Sequence, residues 1–289
     1  MSDEIAFEEI NEAKFNMDHI YNQADPRGYF RELRKYGYAI PGAAQPVFDT
    51  LVRHLRARRR HTIRVLDLGC SYGVNAALLK YDLSLPQLYD HWSASASDPA
   101  RSDEVVRTDR RFFDTLGVNS DIEVIGLDQA EKAVGYASKA GLLDEGLAIN
   151  LETDPLPEAA RAELSAVDLV TSTGCIGYVT EKTFARLLPV ITEGEKPWLA
   201  NFVLRMFPFD AIEEEIAEWG YVTEKLPERT FVQRRFASQE ETDQVLETLR
   251  SLDIDPTPEE KTGNLLAEFY LSRPREEAEA MPIERLISL

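Results

Sequence analysis

An α/β fold, a doubly wound and mostly parallel seven-stranded sheet with helices on both faces, follows from three features of this sequence. Short apolar segments alternate with helical patterns between residues 63 and 204. The first apolar segment ends in a glycine-bearing turn that opens a helix. After residue 204 the pattern changes to isolated extended pieces, which predict a closing pair of strands. Apolar strands alternating with helices need cover on both faces, and right-handed crossovers supply it in a parallel sheet.

The elements follow in order. Residues 3–18 read as an acidic amphipathic helix, and 28–36 as a second helix before Tyr-Ala-Ile-Pro-Gly breaks the chain. Pro46 is expected at the first position of the next helix, where a missing N–H costs nothing. Residues 63–68 are a buried strand ending at Gly69, and the helix pattern resumes at Val74. The stretch 83–119 is less regular and reads as an insertion; within it, Ser102 is the expected N-cap of a helix and Gly117 its stop. Residues 122–128, 147–152, 167–173 and 198–204 are the next four strands, each separated from its neighbour by a helical segment. Beyond them, 205–236 holds one helix and two extended pieces, Asp-Ile-Asp-Pro-Thr-Pro and Leu-Leu-Ala-Glu-Phe-Tyr-Leu-Ser-Arg supply the closing strands, and the tail is a short docked helix. Leu286, Ile287 and Leu289 in that tail suggest packing on something, with a homodimer as one option.

Composition narrows the class of partner. The 289 residues are 44% hydrophobic, enough for a sizeable core, and the charged fraction of 29% is that of a globular chain. A net charge of -19 repels polyanions at long range, so no nucleic-acid partner is expected. The basic run Arg53, Arg56, Arg58, Arg59, Arg60 and Arg64, with His54 and His61 among it, is better read as the end of a helix, where cations complement the dipole. Two separated cysteines give neither a disulfide framework nor a metal site. No apolar run approaches the ~20 residues that span a bilayer, and the acidic start is unlike a signal peptide, so no membrane partner is expected and the chain reads as cytoplasmic.

The informative segment is Val-Leu-Asp-Leu-Gly-Cys-Ser-Tyr-Gly, residues 65–73. Gly69 permits a sharp turn and close approach of backbone to a ligand, and Gly73 lets the helix start pack close to strand and ligand. Amides of that first turn suit a carboxylate or phosphate. Asp67, two residues before the first glycine, suits a cationic amino-acid ligand better than a pyrophosphate, whose fingerprint has a different glycine spacing. Asp67 and Asp128 as simple strand-end caps is the alternative.

This stretch resembles the first motif of the class I S-adenosylmethionine-dependent methyltransferases, hydrophobic-hydrophobic-Asp-x-Gly-x-x-x-Gly. The resemblance covers roughly residues 60–204 plus the closing strands, and it implies S-adenosylmethionine as cofactor. It implies a cofactor site made by Asp67, Gly69, Cys70, Ser71, Tyr72 and Gly73 at the first turn, with Cys70 a small buried residue rather than a catalytic thiol. Asp128 would hold the ribose diol, with Gln129 and Ala130 flanking the adenine; Asp98 is its rival. Leu151 and Glu152 would meet the purine, and Ser172, Thr173 and Gly174 would lie beside the methyl group. It further implies residues 1–60 as an N-terminal helical cap or lid and 61–289 as a Rossmann-like domain with insertions at about 83–119 and 205–236.

Substrate contacts are expected from Tyr178, Arg205 and Phe207, which follow the fourth and fifth strands, since ligands of open α/β sheets bind at carboxyl strand ends, and from Tyr21 and Tyr29 of the N-terminal segment. Tyr21, Tyr29, Tyr36 and Tyr38 form either a packed aromatic cap or a binding lid, and Arg27 and Arg31 in the same segment could meet an acid. His91 and His19 are the candidate general bases, against the plainer reading of a surface or core histidine. The expected activity is methyl transfer to O or N of a small-molecule metabolite. The alternatives are an RNA or protein methyltransferase, or a non-catalytic S-adenosylmethionine-binding protein.

Overall fold

A computed structural model describes residues 20–95 and 101–288, so the expected 3–18 helix, His19 and Asp98 lie outside the described residues. Among the described residues the sheet is doubly wound and has eight strands, numbered in chain order as β1 (Ile63–Leu68), β2 (Ile122–Asp128), β3 (Glu145–Ala148), β4 (Leu169–Thr173), β5 (Trp198–Leu204), β6 (Tyr221–Lys225), β7 (Phe231–Arg235) and β8 (Asn264–Pro274); they lie in the order β3-β2-β1-β4-β5-β8-β6, with β7 also paired to β8. Strands β1, β2, β3, β4 and β5 are parallel, and β8 runs antiparallel to β5. β5 is buried along its whole length and β1 nearly so, as strands covered on both faces must be.

The expected count of seven strands is corrected to eight at one edge. β6 (Tyr221–Lys225) pairs with residues 270–274 of β8, and β7 (Phe231–Arg235) pairs with residues 264–267 of the same strand. Both fit along β8 because it is 11 residues long. Pro227, which has no N–H to give to a ladder, and Glu228 at φ 54 interrupt what would otherwise be one strand. The first of the two expected closing strands, Asp-Ile-Asp-Pro-Thr-Pro, is not a strand. Its Thr257 instead caps the short Pro258–Lys261 helix, its hydroxyl accepting from the Glu260 amide while Glu260 accepts from the Thr257 amide.

Three helix expectations are also corrected. Pro46 sits inside the Ile40–Arg59 helix, which starts near Pro41. The buried stripe Ala44, Val47, Phe48, Leu51 and Leu55 carries the helix past that proline despite the lost hydrogen bond. Ser102 is the first helical residue after the cap Arg101, and its hydroxyl donates to Asp25 at 2.6 Å. In the 83–119 stretch the described residues carry two helices, Leu85–Ser95 and Ser102–Asp114, where one was expected. Buried Asp109 holds these two together, accepting from His91 Nε2 at 2.8 Å and Trp92 Nε1 at 3.1 Å, and it also accepts from the Tyr136 hydroxyl at 2.6 Å.

Strand β3 (Glu145–Ala148) starts two residues earlier and ends four residues earlier than the expected strand 147–152. Ile149–Glu152 leave the sheet because the Asn150 carboxamide accepts the Glu152 amide at 3.0 Å and closes a local turn. In the tail, Ile283, Leu286 and Ile287 are buried within their own chain, which accounts for their apolarity, and Leu289 lies outside the described residues. The basic run is mostly paired: Arg59 meets Asp168 and Glu195, Arg56 meets Asp121, Arg58 meets Glu277 and Arg64 meets Glu123 and Glu163. Among the described residues no helix is long and apolar enough to cross a membrane.

Candidate functional site

A cavity of about 390 Å³ opens at the carboxyl ends of the parallel strands. That is where crossovers leave a crevice in a doubly wound sheet. Its wall takes Leu68, Gly69 and Ser71 from the turn after β1, Leu127, Asp128, Gln129 and Ala130 from the end of β2, and Ile149, Asn150, Leu151 and Glu152 from beyond β3. Thr173, Gly174, Cys175, Tyr178, Val179 and Thr183 come from the segment after β4. Tyr21, Tyr29 and Tyr38 from the N-terminal segment and Gln233 from β7 complete it.

The turn after β1 is held by its neighbour strand. The amides of Gly69 and Cys70 donate to the Leu127 carbonyl, the Gly73 amide to the Cys70 carbonyl, and the Ser71 amide to Asp128 Oδ2 at 2.9 Å. These four amides are therefore committed inside the protein, contrary to the expectation that they would await an anion. The requirement for glycine at position 69 is steric as well as conformational. With φ at +72°, an added Cβ would lie 2.6 Å from the Cβ of Cys175. Ser71 adopts φ 47 without being glycine, and its buried Oγ has no partner.

Asp128 stands at the cavity wall with one backbone amide on each oxygen, Ser71 on Oδ2 and Ala130 on Oδ1 at 2.8 Å. Burial raises its pKa, the amide bonds opposing the rise. Each oxygen keeps a lone pair for a further donor. Asn150 Nδ2 donates to Gln129 Oε1 at 3.0 Å, which ties the ends of β2 and β3 across the same wall. Glu152 lines the cavity but is engaged: it accepts from the Thr180 amide and hydroxyl, at 2.9 Å and 2.7 Å, and from the Thr183 hydroxyl at 2.5 Å. It thereby supplies the negative charge favoured at the start of the Glu181–Ile191 helix.

Asp67 lies behind the cavity, not on its surface. Its Oδ1 accepts from Asn75 Nδ2 at 2.9 Å and from the Thr171 hydroxyl at 3.2 Å, while its buried Oδ2 has no partner. Burial pushes the carboxyl up to about 7. Asn75 Nδ2 also donates to Thr173 Oγ1 at 3.1 Å, so the Asp67 network reaches the cavity wall through Thr173. Cys70, Tyr72, Gly73 and Ser172 do not line the cavity. Cys70 is buried, and burial also drives its thiol up. Ser172 donates to Asn201 Oδ1 at 2.7 Å. Tyr72 anchors the N-terminal segment: its hydroxyl accepts the Gln23 amide at 2.7 Å, and Asn22 Oδ1 accepts the Lys132 amide at 2.8 Å. Those bonds place Tyr21 at the cavity.

The tyrosines converge as the N-terminal segment packs down. Tyr29 meets Tyr21, Tyr72 and Tyr38 at ring distances of 5.6 Å, 5.3 Å and 6.3 Å. Burial raises the Tyr29 and Tyr38 phenols well above the ordinary range. Burial likewise pushes the Cys175 thiol up to about 12, which keeps it neutral.

Other expected contacts lie elsewhere. Arg205 faces away into an ion-pair cluster with Glu260 and Glu268, because β5 ends beside β8 and the Thr257 cap. Phe207 is buried behind the cavity, its ring against Gly177 in the loop that carries Tyr178. Arg27 is paired with Asp25. His91 does not line the cavity: Asp109 holds its Nε2 and Phe112 stacks on its ring at 3.8 Å. His54 stacks on Trp198 and His61 bonds Asp168, so no histidine among the described residues reaches the cavity. Ile149, Asn150, Cys175, Val179, Thr183 and Gln233 are wall residues that the sequence left unmarked. For Asn150 a signal existed, a polar residue just past an apolar strand; for Gln233 there was none.

No family model matches this chain, and no curated protein matches it in sequence. Among solved structures it is similar to the plantazolicin methyltransferase BamL in complex with a triazolic desmethylPZN analog and SAH, at TM-score 0.43 and 13% identity over 94% of this chain and 98% of that one. It is similar to magnesium protoporphyrin IX methyltransferase from Synechocystis with bound SAM, at TM-score 0.37 and 13% identity over 80% and 79%. A third is precorrin-6y C5,15-methyltransferase from Geobacter metallireducens, at TM-score 0.38 and 9% identity over 77% and 86%. These likenesses concern the course of the chain alone.

Proposed function

We propose that this protein binds S-adenosylmethionine in the cavity and transfers its methyl group to O or N of a small-molecule acceptor. The observation that carries the proposal is Asp128. It ends β2, lies against the Gly69–Gly73 turn through the Ser71 amide, and offers two oxygens with spare lone pairs to the cavity. One carboxylate with two acceptor oxygens matches a vicinal diol.

The remaining wall fits the rest of such a ligand. Leu127, Ala130, Ile149 and Leu151 give an apolar slot for a base, with the Asn150 carboxamide at its edge. The Ser71 hydroxyl, on the cavity wall and without a partner in the protein, is an acceptor for the ligand's ammonium. The volume of about 390 Å³ is in the range of ordinary small-molecule sites. When bound, the cofactor supplies a methyl group on a sulfonium leaving group. The chain's own part is to hold the acceptor in line with that methyl and to keep water away, which orientation and burial accomplish without a catalytic dyad.

Isothermal titration with S-adenosylmethionine tests this. Saturable heat, with thermal stabilisation of the protein, is the expected result. The absence of both heat and stabilisation would overturn the proposal.

A further inference from the structure

The cavity wall carries two carboxylates, Asp128 and Glu152, and no lysine, arginine or histidine among the described residues. An anionic acceptor beside Tyr29, Tyr38, Tyr178 and Gln233 would lose hydration and meet no compensating cation there, at a cost that burial magnifies. The acceptor end also contains a polar group that the protein leaves unsatisfied. Gln233 is 8% exposed and lines the cavity, and its Oε1 is buried without a partner. It cannot easily turn away. Its backbone carbonyl accepts the Ala39 amide at 2.8 Å, and its amide lies so close over Gly174 that a Cβ there would come within 2.5 Å of Nε2. Tyr29, Tyr38 and Tyr178 provide ring surface on the same wall.

We infer that the methyl acceptor is a neutral or cationic compound, not a carboxylate or phosphate. Its N–H or O–H donates to Gln233 Oε1 while its apolar body rests on the tyrosines. This rests on the function proposed above and adds the chemical class of its substrate. A buried carbonyl without a donor is costly, so the donor's arrival relieves a penalty already present in the empty site. A site of this kind rejects analogues that lack the donor more strongly than it rejects a misfit in size. A cation gains further from the aromatic faces.

The test uses the full-length protein saturated with S-adenosylhomocysteine and four probes of similar bulk: benzylamine, phenol, benzoate and phenyl phosphate. Binding is read by saturation-transfer NMR. Benzylamine and phenol are expected to bind and the two anions are not. Gln233→Leu is expected to weaken both donors by about tenfold or more, the size of one hydrogen bond to a buried group. Gln233→Glu, which keeps an acceptor, is expected to retain or improve benzylamine binding, and this holds the inference open to test if the leucine variant folds poorly. Anions that bind as well as benzylamine, donor binding that survives Gln233→Leu, or no probe binding at all would each overturn the inference and leave the function above standing. Failure of S-adenosylhomocysteine itself to bind would overturn both.

Discussion

The Asp128 carboxylate closes the turn after β1 by accepting the Ser71 amide at 2.9 Å, and so couples the ends of two parallel strands. Its other oxygen takes the Ala130 amide at 2.8 Å. Asp128→Asn replaces one acceptor oxygen by a donor and leaves one of these amides unpaired. The expected stability loss is about 1–3 kcal/mol, measured by urea unfolding. Affinity for S-adenosylmethionine should fall by about tenfold or more, measured by titration calorimetry. Unchanged affinity in the folded variant would remove Asp128 from the ligand site.

Gly69 carries the turn at φ +72°, with Cys175 directly opposite. Gly69→Ala meets two obstacles, a left-handed backbone and a Cβ that would sit 2.6 Å from that of Cys175. We expect a loss of about 2 kcal/mol or more, since strained backbone costs roughly 1–3 kcal/mol before any clash is added. Cys175→Gly should recover only part of it, because it relieves the clash and not the dihedral strain. Thermal or urea unfolding of the single and double variants separates the two; full recovery would show that the backbone is unstrained.

Burial raises the Asp67 carboxyl to about 7, while the bonds from Asn75 and Thr171 oppose the rise and the Asp128 charge adds to it. In the unfolded chain the same group titrates near its ordinary value of about 3.9. Between those pH values the native state holds more protons than the unfolded one. The Asp67 contribution to stability is therefore full at low pH, declines as pH rises through this window, and is level above it. Asp67→Asn keeps an oxygen for Asn75 and Thr171 and cannot ionise. Relative to wild type, it should gain stability progressively from about pH 4 to pH 7 and no more beyond. Parallel stability curves for the two proteins would mean that Asp67 ionises normally.

Asp109 is the shared acceptor for His91, Trp92 and Tyr136. Asp109→Ala strands the buried indole N–H and the Tyr136 hydroxyl together, and should cost about 3–5 kcal/mol, as removal of one member of a buried charged network does. His91→Gln should leave methyl transfer unchanged within about twofold once folding is matched, because a general base must lie within hydrogen-bond reach of the reacting group and His91 is held outside the cavity. A large fall in turnover with His91→Gln at intact stability would restore it as a catalytic candidate.

What the residues alone determined is the alternation that makes the sheet. β1, β2 and β5 begin and end where the apolar runs do, because a strand buried on both faces writes its limits into local composition. The Asp-x-Gly-x-x-x-Gly turn was legible for a similar reason: left-handed glycines are a local backbone requirement. Tertiary structure decided the rest. Only strand pairing shows that β6 and β7 share one edge of β8, and only the packing of β8 against β5 turns Arg205 away to Glu260 and Glu268. Gln233 reaches the cavity and His91 misses it through contacts with residues distant in sequence, Ala39 and Gly174 in one case and Asp109 in the other. Periodicity reports which face of an element is buried; it carries no information on which other element it will face, and that pairing is what assembles a site.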